Sequence, residues 1–260
     1  MTLSLAEIMG WVGTYLCVLI RVAAVLMVAP VFGARGVPKR WRALAAMAFS
    51  LVIAPTLPAP PAIDPLSALG ILLVAQQIVI GVTMGFVLGM IISAFMMAGE
   101  AMSLGMGLGF AQTVDPQNGV SVPLVSQFLT IVVTLLFIAL DGPALTVKML
   151  ADSFLWLPIA PVGLTAADFW RVVGFGQAMF VNAVLIALPV IISLLMVNIA
   201  MGVITRAAPQ LNIFSIGFPA TLLIGFFLIL VSSPVWLPNL EHFLQQTLQF
   251  LSDLLRHTHG

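Results

Sequence analysis

Two charges stand in strongly apolar surroundings. Arg21 falls in the middle of the first apolar stretch, and Glu100 follows Gly99 at the start of a glycine-rich segment. Insertion scales charge about 2.5 to 3.5 kcal/mol for an arginine at mid-bilayer, so Arg21 must face protein or water. A base and an acid in such settings could relay protons or hold an ion. Proton-coupled carriers, however, carry several membrane-embedded acids, and here Asp64, Asp115, Asp141, Asp152 and Asp168 all fall at the edges of apolar blocks. A structural pair, or contact with backbone carbonyls at a subunit interface, is the favoured reading for both residues.

No other set of side chains assembles for chemistry. His242, His257 and His259 lie in or beyond a C-terminal amphipathic stretch without convergent acids or cysteines, so no metal site is expected. Cys17 is the one cysteine, which leaves no partner for an intrachain disulfide or a cysteine-based zinc cluster. The run GMGLGF lacks the G-x-G-x-x-G spacing and the strand pattern of a dinucleotide fold. The chain has no Walker loop, nucleophile elbow or HExxH. Neither an enzyme nor a cofactor is expected.

The elements that would position these residues are apolar throughout. Hydrophobic residues make up 62% of the 260 and charged residues 7%, against about 45–50% and 25% in ordinary domains. Mean hydropathy is +1.20. These values predict an integral, all-α membrane protein. Nine basic residues balance nine acidic ones, which leaves no basic footprint for a nucleic acid. Apolar blocks fall at about 8–32, 42–57, 66–104, 122–155, 167–206 and 213–236, judged against the roughly 20 residues that span a bilayer. Blocks of some 40 residues would make helices of roughly 60 Å, twice the hydrocarbon thickness of about 30 Å. They must fold back as hairpins or leave the membrane.

Breaks are legible inside these blocks. Pro189 should kink the fifth, and Asp141-Gly142-Pro143 should split the fourth. Pro55 to Pro65 reads as a stiff connector. Arg35, Lys39, Arg40 and Arg42 crowd the link between the first two blocks, which the positive-inside rule places in the cytoplasm, with both termini on the far side. Gly81, Gly85 and Gly89 recur every four residues and form one smooth helix face for close packing. From Asn239 to Arg256 a leucine-rich stripe opposes Glu241, His242, Gln245, Gln246, Gln249 and Asp253. Its single arginine disfavours an anionic-lipid surface, so docking on a partner or on the chain itself is expected.

Residues 99–123, GEAMSLGMGLGFAQTVDPQNGVSVP, suit neither lipid nor ordinary water. Gly105, Gly107 and Gly109 alternate with Met106, Leu108 and Phe110, placing soft apolar side chains on a backbone with little helix preference. Such a stretch can bend and plug a protein-enclosed passage. In TRAAPQLNIF, Pro209 ends a helix, Arg206 can cap its carbonyls, and Asn212 can begin the next.

The segments GEAMSLGMGLGFAQTVDPQNG (99–119) and TRAAPQLNIFSIGFP (205–219), with RVAAVLMVAPVFGARGVPKRWR (21–42) and ADSFLWLPIAP (151–161), resemble the FliR family of flagellar biosynthesis proteins. The resemblance covers nearly the whole chain. Asp141-Gly142-Pro143 departs from it, standing where the family's pattern has a glycine followed by a histidine.

The resemblance implies a type III export-gate subunit in the bacterial inner membrane, within the flagellar basal body. It implies long kinked helices and helical hairpins, with a FliP-like part at about residues 1–200 and a FliQ-like part at about 201–260, in a helical assembly. The over-long blocks then need not span lipid. FliP-like and FliQ-like subunits, FlhB-like and FlhA-like export proteins and exported flagellar polypeptides are the implied partners. Gly105, Met106, Gly107, Leu108, Gly109, Phe110 and Gln112 map onto the family's pore-plugging loop. Arg21, Glu100, Arg206, Gln210 and Asn212 remain as structural or interface polar residues. A virulence-type secretion gate subunit and a stand-alone small-solute or ion transporter are the alternatives. The second should show inverted repeats and several polar midplane residues.

Overall fold

The computed structural model describes residues 5–34, 36–57, 67–108, 124–160, 163–207 and 217–257. All regular structure among them is helical: α1 (Leu5–Val28), α2 (Lys39–Ile53), α3 (Ala68–Gly105), α4 (Leu124–Ala139), α5 (Gly142–Trp156), α6 (Ala166–Ala207), α7 (Phe218–Ser232) and α8 (Trp236–His257). Short 3-10 turns, Ala54–Thr56 and Ser233–Val235, follow α2 and join α7 to α8.

Local chemistry sets the helix ends. α1 stops just before Pro30, which has no N–H to donate, and Gly33 N–H closes the following turn on the Ala29 carbonyl at 2.8 Å. The fourth block divides as its sequence predicts. Asp141 takes a left-handed conformation (φ 56), which aspartate tolerates better than most residues, and Pro143 follows in the first turn of α5. At the start of α6, Asp168 Oδ2 accepts from Thr165 N at 2.9 Å and Thr165 Oγ1 at 2.7 Å, while Asp168 N–H donates to Thr165 Oγ1 at 3.4 Å. This is a reciprocal capping box.

The third and fifth blocks are single helices of 38 and 42 residues, so the hairpin alternative fails for both. At about 1.5 Å per residue each approaches or exceeds 57 Å, about twice the hydrocarbon core. α6 continues on both sides of Pro189, and Ser193 Oγ donates to the Pro189 carbonyl at 2.8 Å. Three stretches, Ala68–Gly105, Ala166–Ala207 and Phe218–Arg256, are long and apolar enough to cross a membrane, with α4–α5 as a fourth if that broken pair counts as one. Six apolar blocks in the sequence thus correspond to three or four candidate spans among the described residues. The protein is an all-α membrane protein.

The chain forms two compact units, one of residues 1–90, 138–176 and 245–260, the other of 91–137 and 177–244. Helices α3, α6 and α8 contribute to both. In the first unit the glycine stripe packs α3 on α1. A Cβ on Gly81 would lie 2.7 Å from both Ala24 Cβ and the Arg21 carbonyl, and one on Gly85 2.8 Å from Val28 Cβ. Gly89 has its nearest neighbour at 4.0 Å and is spared. The later part of α8 also belongs here: Phe250 stacks on Phe175 at 4.2 Å between centroids, and the Arg256 guanidinium lies 4.8 Å over Trp156. The amphipathic helix therefore docks on its own chain. Leu240, Phe243, Leu244, Leu251, Leu254 and Leu255 are buried and its acidic and glutamine face is exposed.

In the second unit, Val125, Leu129, Val133 and Phe137 recur every four residues and give α4 one buried face. A Cβ on Gly99 would lie 2.6 Å from Ser126 Cα, so α3 and α4 meet backbone to backbone. Thr130 and Thr134 turn their hydroxyls back to carbonyls of their own helix, at 2.7 and 2.6 Å. Their polarity is thereby satisfied without water.

Candidate functional site

In the second unit α3 ends on a glycine. Gly107 has φ +81, a conformation that only glycine adopts without strain. Its N–H donates to the Leu104 carbonyl at 3.0 Å and that of Leu108 to the Ser103 carbonyl at 3.1 Å. These two bonds form a Schellman motif, which satisfies carbonyls at the helix end and turns the chain away. The Gly105 carbonyl, which has no partner within the helix, accepts from Asn198 Nδ2 of α6 at 3.3 Å.

Apolar contacts seat the same turn. Met106 is fully buried in a notch on α7, where a Cβ on Gly225 would lie 2.6 Å from Met106 Cγ, 2.7 Å from Cε and 2.9 Å from Sδ. Leu194 of α6 lies 3.3 Å from where a Gly105 Cβ would stand, and the Phe218 ring 3.6 Å from that of Gly107. Gly105, Met106 and Gly107 are thus held by two helices of one unit, α6 and α7, and Leu108 leaves them half-buried. Gly109, Phe110 and Gln112 lie outside the described residues, as do Gln210 and Asn212.

Arg21, in the first unit, is wholly buried yet pairs with no acid among the described residues. Its Nε donates to Gln77 Oε1 at 2.7 Å, and its Nη1 to the Leu157 carbonyl at 2.9 Å, the Ser153 carbonyl at 3.2 Å and Ser153 Oγ at 3.3 Å. The guanidinium carbon stands 4.2 Å over the Phe154 ring. Those carbonyls belong to the C-terminal end of α5, where the helix dipole is negative and favours a cation. Arginine suits this place because its planar fork serves several acceptors at once.

The remaining polar candidates are not brought to either place. Glu100 is exposed near the end of α3. Arg206 is exposed in the last turn of α6 and makes no side-chain hydrogen bond among the described residues. The one ion pair among those residues joins Arg171 to Asp168 at 3.9 Å. The second unit also holds an apolar recess of about 320 Å³ lined by Leu124, Phe128, Phe226, Ile229 and Trp236, among others. Ser233 also lines it, with its hydroxyl donating to the Leu230 carbonyl at 2.8 Å.

Sequence reasoning missed the partners of the two centres: Gln77, Ser153 and Phe154 around Arg21, and Asn198 and Gly225 around the end of α3. The last two carried a signal. A lone glycine in LLIGFF and a lone asparagine in LLMVNIA interrupt otherwise apolar helices, and an isolated glycine in a helix usually has a packing reason.

Comparison with known proteins agrees along the chain. Residues 12–247 match the family model described as "Bacterial export proteins, family 1". The chain is 36% identical to a flagellar biosynthetic protein FliR of Escherichia coli (strain K12) over 247 residues, 95% of this chain and 94% of that protein. It is 36% identical to the FliR of Pectobacterium carotovorum subsp. carotovorum, covering 98% and 97%, and 27% identical to that of Bacillus subtilis (strain 168), covering 93% and 94%.

Proposed function

The chain belongs to the bacterial export proteins, family 1, as one of the FliR flagellar biosynthetic proteins, and from that premise we propose that it is a non-enzymatic subunit of the flagellar type III export gate. It helps to form the central pore through which unfolded flagellar polypeptides leave, and it plugs that pore between substrates. The gate sits in the inner membrane within the basal body. FliP-like and FliQ-like subunits complete it, and FlhB-like and FlhA-like proteins serve it. Residues 1 to about 200 take the FliP-like part and about 201 to 260 the FliQ-like part.

The plug is the loop at 105–120, with Gly105, Met106, Gly107, Leu108, Gly109, Phe110 and Gln112 at its start. The observation that carries this reading is the end of α3. A 38-residue apolar helix is stopped by a glycine that only a left-handed turn explains, and it releases an apolar, glycine-rich segment from a fixed base. Hydrophobic constrictions gate by dewetting, so such a segment can bar ions yet deform around a passing chain. Deleting residues 108–112 should leave the chain in the membrane at its normal level while raising ion leak about tenfold. Leak at background, with the chain present, would sink the plug.

A further inference from the structure

Met106 belongs to the apolar run read as the plug, yet its side chain is fully buried in its own unit, seated at Gly225. We propose that Met106 is not a blocking residue but a positioning residue, and that Gly225 and Asn198, to which nothing else assigns a role, complete the seat that sets where the loop starts. The inference rests on the plug reading and deepens it.

The geometry leaves the turn little choice. At Gly225 the side chain is absent where Met106 needs room: Cγ, Sδ and Cε of Met106 all fall within 2.9 Å of the place a Cβ would occupy. A methionine fills such a notch well because its unbranched, polarizable side chain adapts to irregular gaps. Asn198 Nδ2 holds the carbonyl one residue earlier at 3.3 Å, and the Gly107 turn follows one residue later. Three consecutive residues are therefore fixed from α6 and α7, and the direction of the chain at Leu108 follows from them. A substitution that fills the notch must push Met106 out and re-aim everything after it. Loss of the Met106 side chain should loosen the same point from the other side.

The test is an exchange of volume across the contact in the full chain, produced in its own cells. Gly225→Val adds about the bulk that Met106→Ala removes, so each single change should raise ion leak about fivefold while the double change returns it towards the parent. Chain level in the membrane is measured alongside, and leak is expressed per chain, so that loss of protein is not read as a leak. If both single variants accumulate normally and leak no more than the parent, the positioning role is overturned. Should Gly225→Val fail to accumulate, Met106→Ala alone decides by the same criterion. The deletion of residues 108–112 is run in parallel. A leaking deletion with silent seat variants refutes the seat and leaves the plug standing, whereas a silent deletion refutes the plug itself.

Discussion

The ends of α5 and α3 face the same difficulty, a row of carbonyls left without partners inside an apolar chain, and they resolve it with opposite chemistry. At α5 a buried cation does the work: Arg21 reaches the Ser153 and Leu157 carbonyls and is itself braced by Gln77 and Phe154. At α3 the backbone turns back on itself through Gly107, and among the described residues Asn198 alone adds a side-chain polar contact to the turn. Met106 supplies the rest by packing. The first arrangement is directional and intolerant of displacement, since each bond needs its acceptor within a few tenths of an ångström. The second is soft, because dispersion contacts are individually small and a methionine can change rotamer. A rigid clamp suits a scaffold, while a soft seat suits the base of something that must yield.

That contrast can be broken most severely at the clamp. Arg21→Leu removes every donor at once and leaves buried acceptors unmet, each worth about 1–3 kcal/mol, so the chain should fall to a small fraction of its normal membrane level. Arg21→Lys keeps the charge but loses the fork, and a clear loss of thermal stability should remain. Normal melting of the lysine variant in detergent would show that charge alone suffices.

Next in size is the glycine contact that seats α3 on α1. Gly81→Leu drives a side chain into Ala24 and the Arg21 carbonyl, both 2.7 Å from its Cβ, and overpacking of this kind costs about 1–3 kcal/mol. A fall in melting temperature is expected, and an unchanged value would mean the two helices are free to separate.

The smallest effect belongs to the seat. Met106→Leu conserves volume and should cost less than about 1.5 kcal/mol, leaving accumulation and melting near those of the parent. If it proved as damaging as Arg21→Lys, the seat would be rigid and the comparison wrong.

The two centres were not equally legible. Hydropathy marks the stretches that hold α1 to α7, and the Asp141-Gly142-Pro143 turn, the Gly81–Gly85 face and the amphipathic stripe of α8 follow from spacing alone, because each is a local property of the chain. Arg21 announces itself by being charged in an apolar stretch, but the sequence reading puts its carbonyl partners at a subunit interface, whereas they lie at the end of α5 in the same chain. Its acceptors are not legible in the sequence, since Gln77, Ser153 and Leu157 come from distant segments. Beyond that glycine face, the last turns of α3 carry no periodicity that tells which side is buried. The same lack hid the seat of Met106. An alternation of glycine and large apolar residues looks like a flexible plug throughout, and only the fold of the second unit separates the fixed residue from those beyond it.

The account stands or falls on whether the segment released by α3 bars ions. The direct measurement is the conductance of membranes carrying the full-length chain in its native gate, compared with membranes carrying the chain that lacks residues 108–112 at equal abundance. The account predicts background conductance for the parent and about tenfold more for the deletion. Equal, background conductance in both would contradict it.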